Sequence, residues 1–263
     1  MALVLKSLYE YYNFYYHDAQ DPRTTGLLLL NPPWMPVVLI ASYLYFVRNL
    51  GPRIMANRKA FDLRWTMLLY NILQVIFNIY LACIGTKFMI EKRVSLFCEP
   101  VDRSYSVTAM KEVHFLHLYY LLKVFDLVDT IFFVLRKRQN RVSFLHVYHH
   151  TGMILGPFFY VRIYAGGHGA MLALINTYVH AIMYFYFFLT VYQPELSKNV
   201  RWKKFVTISQ MVQFAGLVVY FGLPAVMNFE CGISKFWHWT IMVQNFFMLV
   251  MFIDFYRKTY GRK

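Results

Sequence analysis

The sequence predicts an all-α, polytopic membrane protein built as one domain, residues 1–263. Three observations predict it. Hydrophobic residues make up 59% of the chain and charged ones only 15%, whereas soluble domains carry about a quarter charged residues. Apolar runs recur at the length of a bilayer-spanning helix, ~20 residues. The loops between them alternate between basic-rich and basic-poor, as topology in a membrane demands.

Taken in order, seven runs qualify as spans: Leu27–Val47, Trp65–Gly85, Val113–Leu135, Phe144–Ile163, Ala170–Tyr192, Phe205–Met227 and Phe236–Tyr256. The first holds Asn31-Pro32-Pro33 near its start, where a first helical turn tolerates proline. The segment before it lacks a compact apolar core and a small-residue cleavage site, so it does not read as a signal peptide. The first run is then expected to act as an uncleaved anchor. Seventeen of the 27 Lys and Arg residues fall in one set of alternate loops, including Arg48, Arg53, Arg136, Lys137, Lys203 and Arg257. Nine fall in the other set, and Lys123 lies inside a span. This asymmetry predicts a lumenal N-terminus and a cytosolic C-terminus. The longest loop, residues 86–112, mixes acidic and basic residues and reads as a structured lumenal cap.

The net charge of +14 invites a nucleic-acid reading. It is rejected, because the basic residues form short clusters between apolar runs and not one stripe. The chain has Cys83, Cys98 and Cys231 but no C-x-x-C, which argues against a zinc or thioredoxin-like site. Cys98 and Cys231 both fall in loops on the predicted lumenal side, where a disulfide between them is a candidate.

Four polar stripes interrupt the apolar spans. Lys123, Asp126, Asp129 and Thr130 share about a third of a helix circumference at ~100° per residue. A charge at the centre of a span costs at least ~2.5 kcal/mol, so such residues are functional candidates by default. A buried ion pair that only sets helix packing would explain the same four residues. His146, His149 and His150 follow at spacings of three and four, and could hold a metal or carry proton and acyl transfer. On the next span, Asn176, His180, Met183 and Tyr184 share a face, with Tyr186 to one side. Asn176 could orient the His180 ring. Thr207, Gln210 and Gln213 complete the set; glutamines within a membrane either bind a ligand or join helices. Together the stripes predict a polar chamber in the cytosolic half, suited to acid–base or nucleophilic chemistry.

K-x-x-D-x-x-D-T at Lys123–Thr130, H-x-x-H-H at His146–His150, N-x-x-x-H-x-x-M-Y at Asn176–Tyr184 and T-x-x-Q-x-x-Q at Thr207–Gln213 occur in that order on successive spans. The set resembles the ELO family of very-long-chain fatty acid elongases across nearly the whole chain. Asp126 stands where that family often has Glu, and Phe187 where Tyr is common. The resemblance implies seven transmembrane helices, six of them forming a barrel around an acyl-chain tunnel closed toward the lumen. It implies condensation of a long-chain acyl-CoA with malonyl-CoA to a 3-oxoacyl-CoA, CO₂ and CoA, the first step of microsomal elongation, by a 3-oxoacyl-CoA synthase. None of the Cys residues belongs to the stripes, so imidazole takes the nucleophile's part: His149 as an acyl-imidazole, assisted by His180, His146, His150 and Asn176. Lys123, Asp126, Asp129, Thr130, Met183, Tyr184, Tyr186, Gln210 and Gln213 are the expected substrate contacts. No cofactor or metal is expected beyond the two CoA substrates. The expected surroundings are the endoplasmic reticulum membrane, with the reductase and dehydratase of the elongation cycle as partners and a homo-oligomer as a further option.

Two other classes fit parts of the pattern. A di-iron membrane desaturase or hydroxylase also uses H-x-x-H-H but needs about eight converging imidazoles. Of the 9 His here, His17 and His168 fall in predicted loops and His114, His117 and His238 near the lumenal side. A transporter-like or receptor-like bundle would explain buried charge but not three His within one turn and a fourth on the next span. Acyl-chain length depends on what plugs the lumenal end, for which Phe221, Gly222, Trp237 and Trp239 are candidates.

Overall fold

The computed structural model describes residues 2–13 and 19–261; His17 lies outside them. Every regular element among the described residues is helical. In chain order these are α1 (Ala2–Asn13), α2 (Met35–Tyr45), α3 (Gly51–Met55), α4 (Arg64–Lys92), α5 (Val107–Phe125), α6 (Val128–Leu135), α7 (Phe144–Ile163), α8 (Ala170–Tyr192), α9 (Val200–Met227) and α10 (Lys235–Tyr260). A π-helical turn at Phe46–Leu50 joins α2 to α3. Four helical stretches are both long and apolar enough to cross a membrane: Arg64–Lys92, Gly167–Tyr192, Val200–Met227 and Lys235–Tyr260. The chain is thus an all-helical, multi-pass membrane protein.

Local chemistry sets the helix ends. Ser106 and Ser143 accept from the backbone N–H three residues on, and Asn199 accepts from Arg201 and Trp202. Each satisfies donors that the first turn leaves open. Arg93 and Asn228 close α4 and α9 in the left-handed conformation, the usual way a helix stops.

Two expected spans change shape. The first begins at Met35 and not Leu27, because residues 26–34 turn back over the end of α7. There the buried Arg162 donates to the Leu30 carbonyl and to Asn31 Oδ1, each at 2.6 Å. The third, expected as one helix over Val113–Leu135, is broken at Asp126-Leu127 into α5 and α6. Leu127, Asp129 and Thr130 donate to residues three back and not four. This tighter winding rotates the following residues relative to an α-helix.

Neighbouring helices run in the order α7, α5, α4, α8, α9, α10. Between α7 and α10 the link is made by side chains: Tyr148 donates to Gln244 Oε1 at 2.7 Å and its ring lies 5.1 Å from Phe247. The main core lies among α4, α5, α7 and α8, on Phe115, Tyr119, Tyr120, Phe158 and Leu174. One end of the bundle carries a Cys98–Cys231 disulfide. Beside it Lys92 pairs with Glu99 at 2.7 Å and Glu112 at 3.4 Å, and Glu112 accepts from the Gly167 N–H at 2.7 Å. Gly167 has φ +73°, and a Cβ there would strike Val101. On that side Asp21 raises the pKa of Arg23 chiefly by a side-chain hydrogen bond. The opposite end carries Ser143 and the start of α7.

Candidate active site

The end of α5 and one face of α8 bring three of the expected residues onto the buried ammonium of a fourth. Lys123, near the end of α5, is 1% exposed. Its Nζ lies 2.8 Å from Asp126 Oδ2, 3.1 Å from Asn176 Oδ1 and 3.0 Å from His180 Nδ1. A lysine ammonium has three protons and no acceptor, so these three contacts use it fully. His180 Nδ1 therefore accepts, and the ring proton sits on Nε2. Asp126 Oδ2 also lies 3.4 Å from His180 Nδ1. Both atoms are acceptors here, and the shorter contacts make Lys123 their shared donor.

The expected Asn176-to-His180 hydrogen bond is replaced. Asn176 Oδ1 instead accepts from Lys123 and from Tyr119 OH at 3.1 Å. The reason is tertiary: a charged donor from α5 reaches between the two α8 side chains and outcompetes a neutral contact within one helix.

The stripe from Lys123 to Thr130 was expected to act as one face, but it divides among three partners. Lys123 and Asp126 hold His180. Asp129, on α6, accepts from Tyr184 OH at 2.7 Å. Thr130 sits 2.8 Å from His146 Nε2 and 3.0 Å from Tyr43 OH. The break at Asp126-Leu127 makes this division, because it turns α6 away from the continuation of α5.

The three histidines of α7 divide as well. Ser143 caps the helix and sets its phase. His146 and His150, four apart, lie ring to ring at 4.3 Å, with His146 against Thr130 and Phe133. His149 points elsewhere, onto the wall of a cavity, with its ring 6.4 Å from that of His180. No hydrogen bond to the His149 ring occurs among the described residues.

That cavity runs along α7 from His149 to Tyr160, ~16 Å at the helical rise. Asn176, Gln213, Gln244 and Asn245 give polar atoms around it, and Gly152, Gly156, Phe214, Leu217, Ile241 and Met248 make the wall apolar. Gly156 has nothing within 4 Å of where a Cβ would stand. The glutamine stripe also serves two ends. Gln213 lines the cavity, while Gln210 contacts Met183 Sδ at 3.4 Å and joins α9 to α8. Thr207 donates to the Lys203 carbonyl and lies beside Tyr260, away from the cavity. Tyr186 is buried near Phe187 and does not line it either.

Sequence reasoning found the span of α4 but missed its polar stripe. Gln74, completely buried, donates to Asp126 Oδ1 and to Tyr70 OH, both at 2.8 Å, and Asn78 donates back to Gln74. Asn71, Gln74 and Asn78 recur at three, four and seven residues inside an apolar run, which is the signal that would have found them. Gln74→Leu leaves one oxygen of a buried carboxylate bare. It is expected to destabilise the protein by about 1–3 kcal/mol, read as a lower melting temperature in detergent, while Gln74→Glu should fare worse by adding a second buried charge.

A bundle of apolar helices with a fully partnered buried ion pair, and an imidazole facing a largely apolar cavity, defines a multi-pass membrane protein with an enclosed site between its helices. Comparison narrows this further. The profile of the ELO (GNS1/SUR4) family matches residues 28–263, and the chain belongs to that family. It is 39% identical to very long chain fatty acid elongase 7 of Rattus norvegicus over 253 residues, 96% of this chain and 89% of the rat protein. A very long chain fatty acid elongase of Aedes aegypti is 38% identical over 264 residues, 99% of this chain and 72% of the mosquito protein. Very long chain fatty acid elongase 1 of Homo sapiens is 39% identical over 197 residues, 74% of this chain and 70% of the human protein.

Proposed function

We propose that this protein condenses a long-chain acyl-CoA with malonyl-CoA, giving a 3-oxoacyl-CoA two carbons longer, CO₂ and free CoA. The observation that carries this reading is His149 on the cavity wall, its ring beside His180. A nitrogen nucleophile then stands at the polar end of a channel that can take an acyl chain. In the first half-reaction His149 attacks the thioester carbonyl, the C–S bond breaks, and CoA leaves as the thiol. Malonyl-CoA then loses CO₂, and the carbanion left on its C2 attacks the acyl carbon. The C–N bond breaks, the electron pair returns to the ring, and the ring takes up a proton to replace the one that left with CoA.

His180 assists the second half-reaction. With Nδ1 occupied by Lys123, its Nε2–H is the available donor, suited to an oxyanion or enolate oxygen. Asn176 and Gln213 also line the channel. An open groove beside the start of α7, between Arg48 and Ser143, offers a place for the polyanionic CoA head. In this reading seven helices cross the endoplasmic reticulum membrane, six of them surround the channel, and the groove faces the cytosol. The disulfide end and the N-terminus face the lumen. The reductase and dehydratase of the cycle take the product onward.

The di-iron alternative is disfavoured by the same geometry. His180 Nδ1 is bonded to the Lys123 ammonium, and that charge repels a metal cation placed beside the ring. Mass spectrometry of purified protein incubated with acyl-CoA alone tests the mechanism. The expected result is an acyl adduct on His149, with CoA released before malonyl-CoA is added. An active protein that never carries the adduct would make His149 a general base instead. Stoichiometric iron would move the assignment to the other class.

A further inference from the structure

A second polar cluster lies at the disulfide end of the cavity. His168, expected in a loop, sits in a 3-10 turn at Gly167–Gly169 and is fully buried. Its ring stacks on Tyr220 at 3.9 Å and lies 5.5 Å from His238, which is 2% exposed. The fully buried Phe221 stands edge-on to His168 at 5.1 Å. The cluster adjoins the cavity through chain neighbours: Gly169 follows His168, Trp237 precedes His238, and Leu217 is one turn before Tyr220, all three lining the cavity.

Three buried polar atoms in this cluster have no hydrogen-bond partner: His168 Nδ1, Tyr220 OH and His238 Nε2. Orphaned buried polar groups are rare in native proteins and call for an explanation. The His168 contact settles one role. Its Nε2 is 3.1 Å from the Tyr220 carbonyl, so Nε2 carries the proton and, in the neutral ring, Nδ1 is a bare acceptor. Tyr220 OH both donates and accepts. A small group with an O–H to give and a lone pair to receive would satisfy them.

We propose that His168, Tyr220 and His238 form a hydrogen-bonding subsite for one hydroxyl, supplied by a water molecule or by the terminal hydroxyl of an ω-hydroxyacyl chain. The second source rests on the reading of the cavity as an acyl channel. A chain that ends midway places its hydroxyl along the largely apolar wall that Gly156, Leu217 and Ile241 contribute. A chain that reaches the cluster exchanges water for His168 Nδ1. The subsite thus makes tolerance of an oxygenated terminus depend on chain length.

The test compares kcat/KM for ω-hydroxyacyl-CoAs and methyl-terminated acyl-CoAs of matched length with the full chain in membranes. For short chains the hydroxyl is expected to lower kcat/KM about tenfold or more. The ratio should recover at the length that reaches the cluster, and Tyr220→Phe and His238→Leu should each lower the recovered ratio. Tyr220→Phe removes only an oxygen, so it keeps the test open if His238→Leu does not fold. Recovery that survives both substitutions overturns the proposal. Without recovery, ordered density bridging His168 Nδ1 to His238 or Tyr220 in a high-resolution structure assigns the subsite to water; no recovery and no density overturns it. Failure to extend even methyl-terminated chains would instead refute the condensation reading.

Discussion

His149→Ala is expected to abolish formation of 3-oxoacyl-CoA, by at least the 10²–10⁴-fold typical of losing a positioned acid–base or nucleophilic group. The assay is incorporation of labelled malonyl-CoA in isolated membranes. The fold should survive, because the His149 ring lines a cavity and makes no hydrogen bond among the described residues. Melting temperature and elution volume should stay near those of the parent. His149→Gln keeps the size and a polar end but not the nucleophilic nitrogen, so it should be equally inactive. Activity within tenfold of the parent in either variant would remove His149 from the reaction, since no other imidazole of α7 lines the cavity.

Lys123→Met should be the most damaging substitution for stability. It strips the donor from Asp126, Asn176 and His180 at once and leaves a buried carboxylate with only Gln74 and the His180 ring, 3.4 Å away. Removing one partner of a buried pair typically costs about 3–5 kcal/mol. The diagnostic experiment adds Asp126→Leu. The double variant carries no stranded charge and should regain much of the melting temperature lost by the single one. It should remain inactive, because His180 Nδ1 is then unheld and its proton is free to move to either nitrogen. If the double variant recovered activity together with stability, the pair would serve packing only. Lys123→Arg is no rescue: a planar guanidinium cannot point three donors at three acceptors around one atom.

Asp126 lies at the break between α5 and α6, and its short arm lets it reach Lys123 three residues back within the turn. Phe187 packs its ring beside Tyr184 and Tyr186 on the same helix.

The sequence made the helices legible, as well as the chemistry-bearing residues. Apolar runs and hydroxyl or amide caps such as Ser143 are local signals. A three- or four-residue spacing marks His146–His150 and Asn176–His180 wherever the helix ends up. The stripe on α4 was equally present in the spacing of Asn71, Gln74 and Asn78, but amides carry no charge and drew no attention among the ionisable groups. The break at Asp126-Leu127 was not legible, because neither residue is a proline or glycine and both keep right-handed helical backbone angles.

Local pattern therefore decided that this chain is a bundle of membrane helices with imidazole, carboxylate and ammonium groups on inward stripes. Only tertiary packing decided who meets whom. Lys123 took the contact expected of Asn176, His149 turned to the cavity while His146 turned to α6, and Gln213 separated from Gln210. The physical reason is that a hydrogen bond between helices joins residues more than fifty positions apart in the chain, as Lys123 and His180 are. Its geometry depends on the rotation and depth of both helices, which their own periodicities leave undetermined.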